Sequence, residues 1–250
     1  MLFESSSISY DYLPITGNGE FVKAARQTVF GPLTEKLQGR IASVQTVSGT
    51  GANHVGARFL VDNLPAVPSS QRPRKVWISD PTWGNHHLIW KMVSEESKPV
   101  DEATYKYYNP STRTLDFEGM IADLEEGAVE GDVLLLHACA HNPTGLDPSN
   151  EQWLSIAALC KRKGLFPFFD SAYQGFASGD LDLDAWALRQ FASMGMEICV
   201  AQSFSKSLGM YGQRAGAFHL VCHDPESAKN SLSQLATIQR AEISTPPAFG

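Results

Sequence analysis

The chain has 250 residues, 43% hydrophobic and 19% charged, a composition that suits a globular protein with one large core or two modest ones. Against 20 lysines and arginines stand 27 aspartates and glutamates, a formal charge of −7 with no basic stripe, which argues against nucleic-acid and anionic-membrane partners. Apolar runs such as 133–136 are far too short to cross a bilayer, and the opening residues 1–7 have neither the basic nor the apolar region of a signal peptide.

Short apolar runs alternate with longer helix-like segments. Strands are expected at 41–47, 75–78, 133–137, 165–169, 198–202 and 215–222. Several are apolar throughout, as in strands covered on both faces. Helices are expected at 21–30, 52–62, 86–92, 117–125, 150–162, 185–193 and 225–239. In the fifth, Trp153, Ile156, Ala157 and Cys160 recur at helical spacing. Alternating strand and helix predicts an α/β architecture, a mostly parallel sheet flanked by helices. Residues 65–74, rich in Pro, Ser and Arg, read as a surface loop, and Asp182–Asp184 as a solvated helix start. Cys139, Cys160, Cys199 and Cys222 form no CxxC pair and sit in apolar surroundings, so buried free thiols are expected. They fit a reducing compartment, the cytoplasm, with the mitochondrion left open.

In such a sheet, ligands gather at strand carboxyl ends and helix N-termini. A lone lysine after a strand is ordinarily a solvated surface residue. Lys206, however, follows the strand at 198–202 in the company of Ser203, Ser205 and Arg214, whose hydroxyls and forked guanidinium suit a phosphate. A lysine amine among phosphate ligands is an arrangement that holds an aldehyde covalently. Ser48-Gly49-Thr50 joins a strand to a helix expected to begin near Ala52, a place that suits a phosphate or simply makes a turn. Asp170, at the end of an apolar run, is costly unless paired, and reads equally as a cap. Trp83 reads alone as core, His86 as structural and Asn142-Pro143-Thr144-Gly145 as a turn. Arg240 closes the expected helix 225–239, where a cation complements the dipole. His137 and His141 lack a third ligand at metal spacing, so no metal is expected.

The run 203–214 resembles the lysine motif of the class I pyridoxal-phosphate aminotransferases, the aspartate type above all. Tyr12-Leu13-Pro14-Ile15, Ser48-Gly49-Thr50-Gly51-Ala52, Pro81-Thr82-Trp83-Gly84-Asn85-His86, His141-Asn142-Pro143-Thr144-Gly145 and Phe169-Asp170-Ser171-Ala172-Tyr173 match landmarks of that family in order. The resemblance implies pyridoxal 5′-phosphate as cofactor, carried on Lys206, which then serves as general base. It implies a phosphate cup of Gly49, Thr50, Ser203 and Arg214, and Asp170 paired with the ring nitrogen, supported by His86. Trp83 would stack on the ring, while Asn142 and Tyr173 would bond its phenolic oxygen. Arg240, four residues before Ser244-Thr245-Pro246-Pro247, would bind the substrate's distal carboxylate in a neighbouring subunit, and Tyr12 would reach that partner's phosphate. A homodimer with shared sites follows, with amino-acid and 2-oxo-acid substrates.

Family members also carry an N-terminal arm and a long C-terminal continuation. Residues 1–250 are therefore expected to be the cofactor-binding large domain, with that arm and the small domain largely absent. Thr245 stands where the family usually has Asn, and Gly84 where larger residues are common. The leading expectation is amino transfer between L-aspartate and 2-oxoglutarate. The alternatives are a shortened, catalytically impaired paralogue that pairs with a full-length aminotransferase, and an aminotransferase for aromatic amino acids.

Overall fold

A computed structural model describes residues 11–65 and 72–248. The opening residues 1–7 and the middle of the expected 65–74 loop lie outside the described residues. The elements run α1 (Gly19–Phe30), α2 (Leu33–Lys36), β1 (Ile41–Val47), α3 (Ser48–Asn63), β2 (Arg74–Asp80), α4 (Asn85–Val93) and β3 (Val100–Lys106). There follow a hairpin of β4 (Tyr108–Asn109) and β5 (Thr114–Leu115), then α5 (Phe117–Gly127), β6 (Val133–His137), α6 (Asn150–Lys163) and β7 (Phe166–Ser171). The chain closes with α7 (Leu181–Asp184), α8 (Trp186–Ser193), β8 (Ile198–Ser203), β9 (Ala215–Val221) and α9 (Pro225–Glu242).

Seven strands form one sheet in the order β1-β9-β8-β7-β6-β2-β3. From β3 to β8 every pair is parallel, and only β9 runs against its neighbours β8 and β1. The expected mostly parallel sheet flanked by helices is what forms. The apolar central strands bury both faces by simple alternation. Leu134, Leu136 and Phe169 pack with Leu124, Trp153, Ile156 and Phe191 on the side of α5, α6 and α8. Val133, Leu135, Phe168 and Phe218 pack with Ala52, Val55, Ile89, Trp90 and Leu235 on the side of α3, α4 and α9. Fully burying each large side chain contributes about 1.5–3 kcal/mol.

Several boundaries differ from expectation for physical reasons. The helix expected near Ala52 begins at Ser48, so the glycine turn is itself the first helical turn. The strand expected to stop at Phe169 continues through Asp170 and Ser171, because both pair with β8. Arg240 lies within α9, which runs on to Glu242. Arg74 is buried at the start of β2 and does not belong to a surface loop. β3 escapes sequence reading because it is a polar edge strand, in which Tyr105 alone is fully buried and donates to Leu135 O at 2.8 Å. The four cysteines are buried and free, as expected. Among the described residues no helix is long and apolar enough to cross a membrane.

α6 shows why the helices sit where they do. Ser149 and Gln152 form a reciprocal capping box, and Gly164 ends the helix in the left-handed region at φ 66°. α3 approaches the sheet so closely that a Cβ on Gly56 would lie 2.4 Å from Phe218 and 2.7 Å from Phe168. Beneath the sheet the buried His219 ring bridges Ser43 Oγ at 2.9 Å and Gln202 Oε1 at 3.0 Å. Burial, aided by Arg26, holds its pKa down at about 3.

Gly56→Ala gains about 1 kcal/mol of helix propensity but must push two core rings, so a net loss of about 1–3 kcal/mol is expected. Denaturant unfolding checks it, and an unchanged midpoint would refute the close packing. His219 titrates well below its unfolded value near 6.5, so its contribution is full above that pH and fades as pH falls towards 3. His219→Gln is expected to flatten the pH dependence of unfolding free energy in that window by up to one proton.

Candidate active site

Parallel register brings β6, β7 and β8 to a common carboxyl edge, with His137 opposite Asp170, Asp170 opposite Ala201 and Ser203 opposite Gly216. The β1–α3 turn reaches the same edge. Ser48 sits there in the left-handed region at φ 59°, an unfavourable place for a serine. It is held by a bond from its N–H to Arg214 O at 2.8 Å and by Thr46 Oγ1, which donates to Ser48 O at 3.0 Å. Gly216 makes room for it, since a Cβ there would lie 2.5 Å from Ser48 C. Gly49 is equally constrained, with an added Cβ 2.7 Å from that of Ser203.

Donors converge on this corner. Ser48 Oγ lies 2.7 Å from Ser205 Oγ and 3.4 Å from Ser203 Oγ, and Ser205 N–H donates to Ser203 Oγ at 3.3 Å. Arg214, itself at φ 55°, reaches Ser205 Oγ at 3.5 Å and Tyr211 O at 3.2 Å. Gly49 and Thr50 lie in the first turn of α3, where N–H groups have no intrahelical acceptor. Hydroxyls, first-turn amides and a guanidinium with no carboxylate among them suit an anion. Ser48 was not singled out from the sequence, where nothing announces its backbone conformation.

At the same strand ends lies the buried carboxylate of Asp170. Its reading as a cap fails, because it lies within β7 and bonds His86 Nε2 at 2.9 Å. His86 Nδ1 is 2.9 Å from Thr82 Oγ1, which is 3.1 Å from His137 Nε2, and Asn142 N–H points at His137 Nδ1 at 3.3 Å. These contacts have a direction. Because the Asn142 amide donates, His137 Nδ1 must accept, and burial foremost, then His141 and His86, keeps that ring's pKa far below the ordinary value. Neutral His137 therefore carries its proton on Nε2 and donates to Thr82. The Thr82 hydroxyl donates to His86 Nδ1, and His86 Nε2–H donates to Asp170. His137 had no role from sequence; its neighbours arrive from the β2–α4 turn, α4 and the loop after β6.

Asn142 and Tyr173 sit on two loops, each gripped by a carboxylate. Asp147 accepts the N–H groups of Ala140 and His141 at 2.6 and 3.1 Å. His141 bonds Ser79 Oγ and Thr144 Oγ1 at 2.9 and 2.8 Å under a Tyr107 ring stacked at 3.8 Å, and burial first lowers its pKa to about 3. Asp184 accepts the N–H groups of Gly175, Ala177 and Ser178 and the hydroxyl of Ser178 at 2.6–3.0 Å. The solvated reading of Asp182–Asp184 therefore fails for Asp184, which is buried. Burial, with Asp170 and Tyr211, raises the Tyr173 pKa and keeps its phenol protonated.

Lys206 is half-buried, its Nζ 5.0 Å from the centre of the Tyr173 ring. One cavity is lined by Gly49, Thr50, Trp83, Asn142, Asp170, Tyr173, Ser203, Lys206 and Arg214, so nine residues singled out in the sequence meet at one place. Trp83 meets His86 edge-on at 5.2 Å. Two others lie elsewhere. Tyr12 is 84% exposed and Arg240 is exposed, its guanidinium on Ser244 Oγ, and neither lines this cavity.

The family described as aminotransferase class I and II matches residues 4–249. The chain is 46% identical to an L-tyrosine:2-oxoglutarate aminotransferase of Aspergillus ustus, over 99% of this chain and 47% of that protein. It is 45% identical to the mitochondrial aspartate aminotransferase of Xenopus tropicalis, over 98% of this chain and 55% of that protein. A solved aromatic-amino-acid aminotransferase from Burkholderia pseudomallei, covalently bound to pyridoxal phosphate, superposes with a TM-score of 0.87 at 36% identity, over 97% of this chain and 57% of that one. The chain thus spans about half the length of the curated relatives it matches. With its fold and sequence in agreement with theirs, the chain belongs to the class I and II aminotransferase family.

Proposed function

We propose that the cavity holds pyridoxal phosphate on Lys206, and that the protein moves amino groups between L-aspartate and 2-oxoglutarate, giving oxaloacetate and glutamate. The observation that carries this reading is the placing of Lys206, Asp170 and Arg214 in one cavity wall. The donor set fits the group at both ends. Gly49, Thr50, Ser203 and Arg214 offer donors and positive charge for the phosphate, and Asp170 offers an acceptor for a protonated ring nitrogen. When bound, the cofactor supplies an aldehyde and an electron-withdrawing ring.

The chain's own groups do the rest. Asp170, held as an acceptor by the His86 donor, favours a positive charge beside it. Tyr173 O–H and the Asn142 side-chain amide are donors suited to a phenolic oxygen, and the Trp83 face covers the cavity. Lys206 Nζ would hold the cofactor's aldehyde and, as a free amine, would serve as the base for the substrate's α-proton. Residues 1–250 form the cofactor-binding large domain of this reading. Tyr12 and Arg240 are exposed and do not line their own cavity, which supports a homodimer in which they serve the partner's site. The cytoplasm is the compartment of this reading.

A second reading, transfer from aromatic amino acids, is favoured by the tyrosine-specific name of the Aspergillus relative. Rates with aspartate against tyrosine separate the two.

Lys206→Ala is expected to abolish the visible absorbance of the covalently held cofactor. Borohydride reduction and peptide mapping of the parent protein should place the label on Lys206; label elsewhere, or a variant that keeps the absorbance after dialysis, contradicts the assignment. Arg240→Ala is expected to cost about 2–4 kcal/mol of dicarboxylate preference, as when one partner of a buried charge pair is removed. Unchanged discrimination between aspartate and an apolar amino acid would refute that role.

A further inference from the structure

Asn53 lies one helical turn after Gly49 on α3 and lines the same cavity as Asp170, Ser203 and Arg214. It is 2% exposed, and its Nδ2 donates to Gly49 O at 2.9 Å. Its Oδ1 is buried and has no hydrogen-bond partner. The amide cannot be turned round to remove the difficulty. Exchange of its two ends would set Oδ1 against the carbonyl of Gly49, acceptor against acceptor. The neighbouring buried positions of this helix, Ala52, Val55 and Gly56, are small or apolar. Asparagine inside a helix is unfavourable, and a buried acceptor left unpaired is more so.

We propose that Asn53 is a ligand-binding residue, whose Oδ1 accepts a hydrogen bond from an O–H group that arrives with the phosphate. This rests on the pyridoxal-phosphate reading. The placing of Asn53 one turn beyond the Gly49 and Thr50 amides ties it to the phosphate end. A fully ionised phosphate offers acceptors only, so the donor is either the remaining P–OH of the monoanion or a water that the phosphate orders. Asn53 thereby complements the donors of Ser203, Ser205 and Arg214 with a single acceptor, and selects a hydrated or singly protonated phosphate.

The test compares the native protein with Asn53→Leu and Asn53→Ala, using calorimetric affinities for pyridoxal phosphate, inorganic phosphate and pyridoxal, and the thermal midpoint of each ligand-free protein. Expected are losses of about tenfold for both phosphate-bearing ligands, none for pyridoxal, and a ligand-free midpoint of the leucine variant at or above native. A native advantage that grows from pH 8 to pH 5 identifies the P–OH donor, and a constant advantage identifies water; either supports the proposal. Unchanged phosphate affinities, a loss confined to pyridoxal, or a lowered midpoint with native affinities in both variants would overturn it. A native protein that binds inorganic phosphate through Asn53 but not pyridoxal phosphate would keep this inference and remove the parent reading. Binding of neither would remove both.

Discussion

A carboxylate inside a parallel sheet is the constraint around which the site is arranged. Asp170 pairs as a strand residue with His137 on one side and Ala201 on the other, and its side chain is buried but for the cavity it lines. A buried charge in that position is tolerable only with a strong donor, and His86 supplies one at 2.9 Å. The donor is itself supported. Thr82 and His137 pass the same polarity back to the main-chain amide of Asn142, a group that cannot reverse its role. One backbone N–H thus fixes the tautomer of His137, from which the hydroxyl and the second ring lead on to Asp170. The result is a carboxylate kept as an acceptor, facing a cavity that is also rich in donors.

That polarity gives the cavity an axis. Ser203, Ser205 and Arg214 supply its cationic, donor side and Asp170 its anionic side, with Lys206 and Tyr173 in the same lining. A ligand with an anion at one end and a basic ring atom at the other is complementary to this arrangement, whereas one with two anionic ends is not. The donor end rests on two residues in the left-handed region, Ser48 and Arg214, locked to each other by one main-chain hydrogen bond. Strain of this kind persists where packing over-determines it, and here Gly216 supplies the space.

The buried parallel strands were legible in the sequence because strands covered on both faces are apolar along most of their length, as 133–136 and 198–201 are. β3 was not, since an edge strand satisfies solvent on one side and reads as polar. The site residues that act through chemistry of their own, Lys206, Asp170 and Arg214, stood out beside their neighbours in the chain. Those that act through distant partners did not. His137 gains its place from Thr82 and Asn142, and Asp184 gains its place from three amides of the preceding loop. Neither set of contacts has a sequence pattern. Asn53 was not read from the sequence either, since it stands beside a second polar residue, His54, and only its burial in the fold sets it apart.

Rigidity of the two gripping loops follows from the same logic as the relay. Asn142 and Tyr173 are short of support from regular structure, since each lies beyond the end of its strand. Asp147 and Asp184 replace that support by binding the loop amides directly, which a neutral side chain would do less firmly. The two carboxylates also feel each other, because burial and then Asp184 raise the pKa of Asp147 against the lowering effect of its amides. Asp147 and Asp184 line one small cleft behind the site, so the two loops are braced from the same side, and that bracing bears on the width of the cavity between Asn142 and Tyr173. Side chains at strand ends can hold a ring-sized ligand in register only if that width does not drift, so the anions behind the site matter as much to its geometry as the groups that line it.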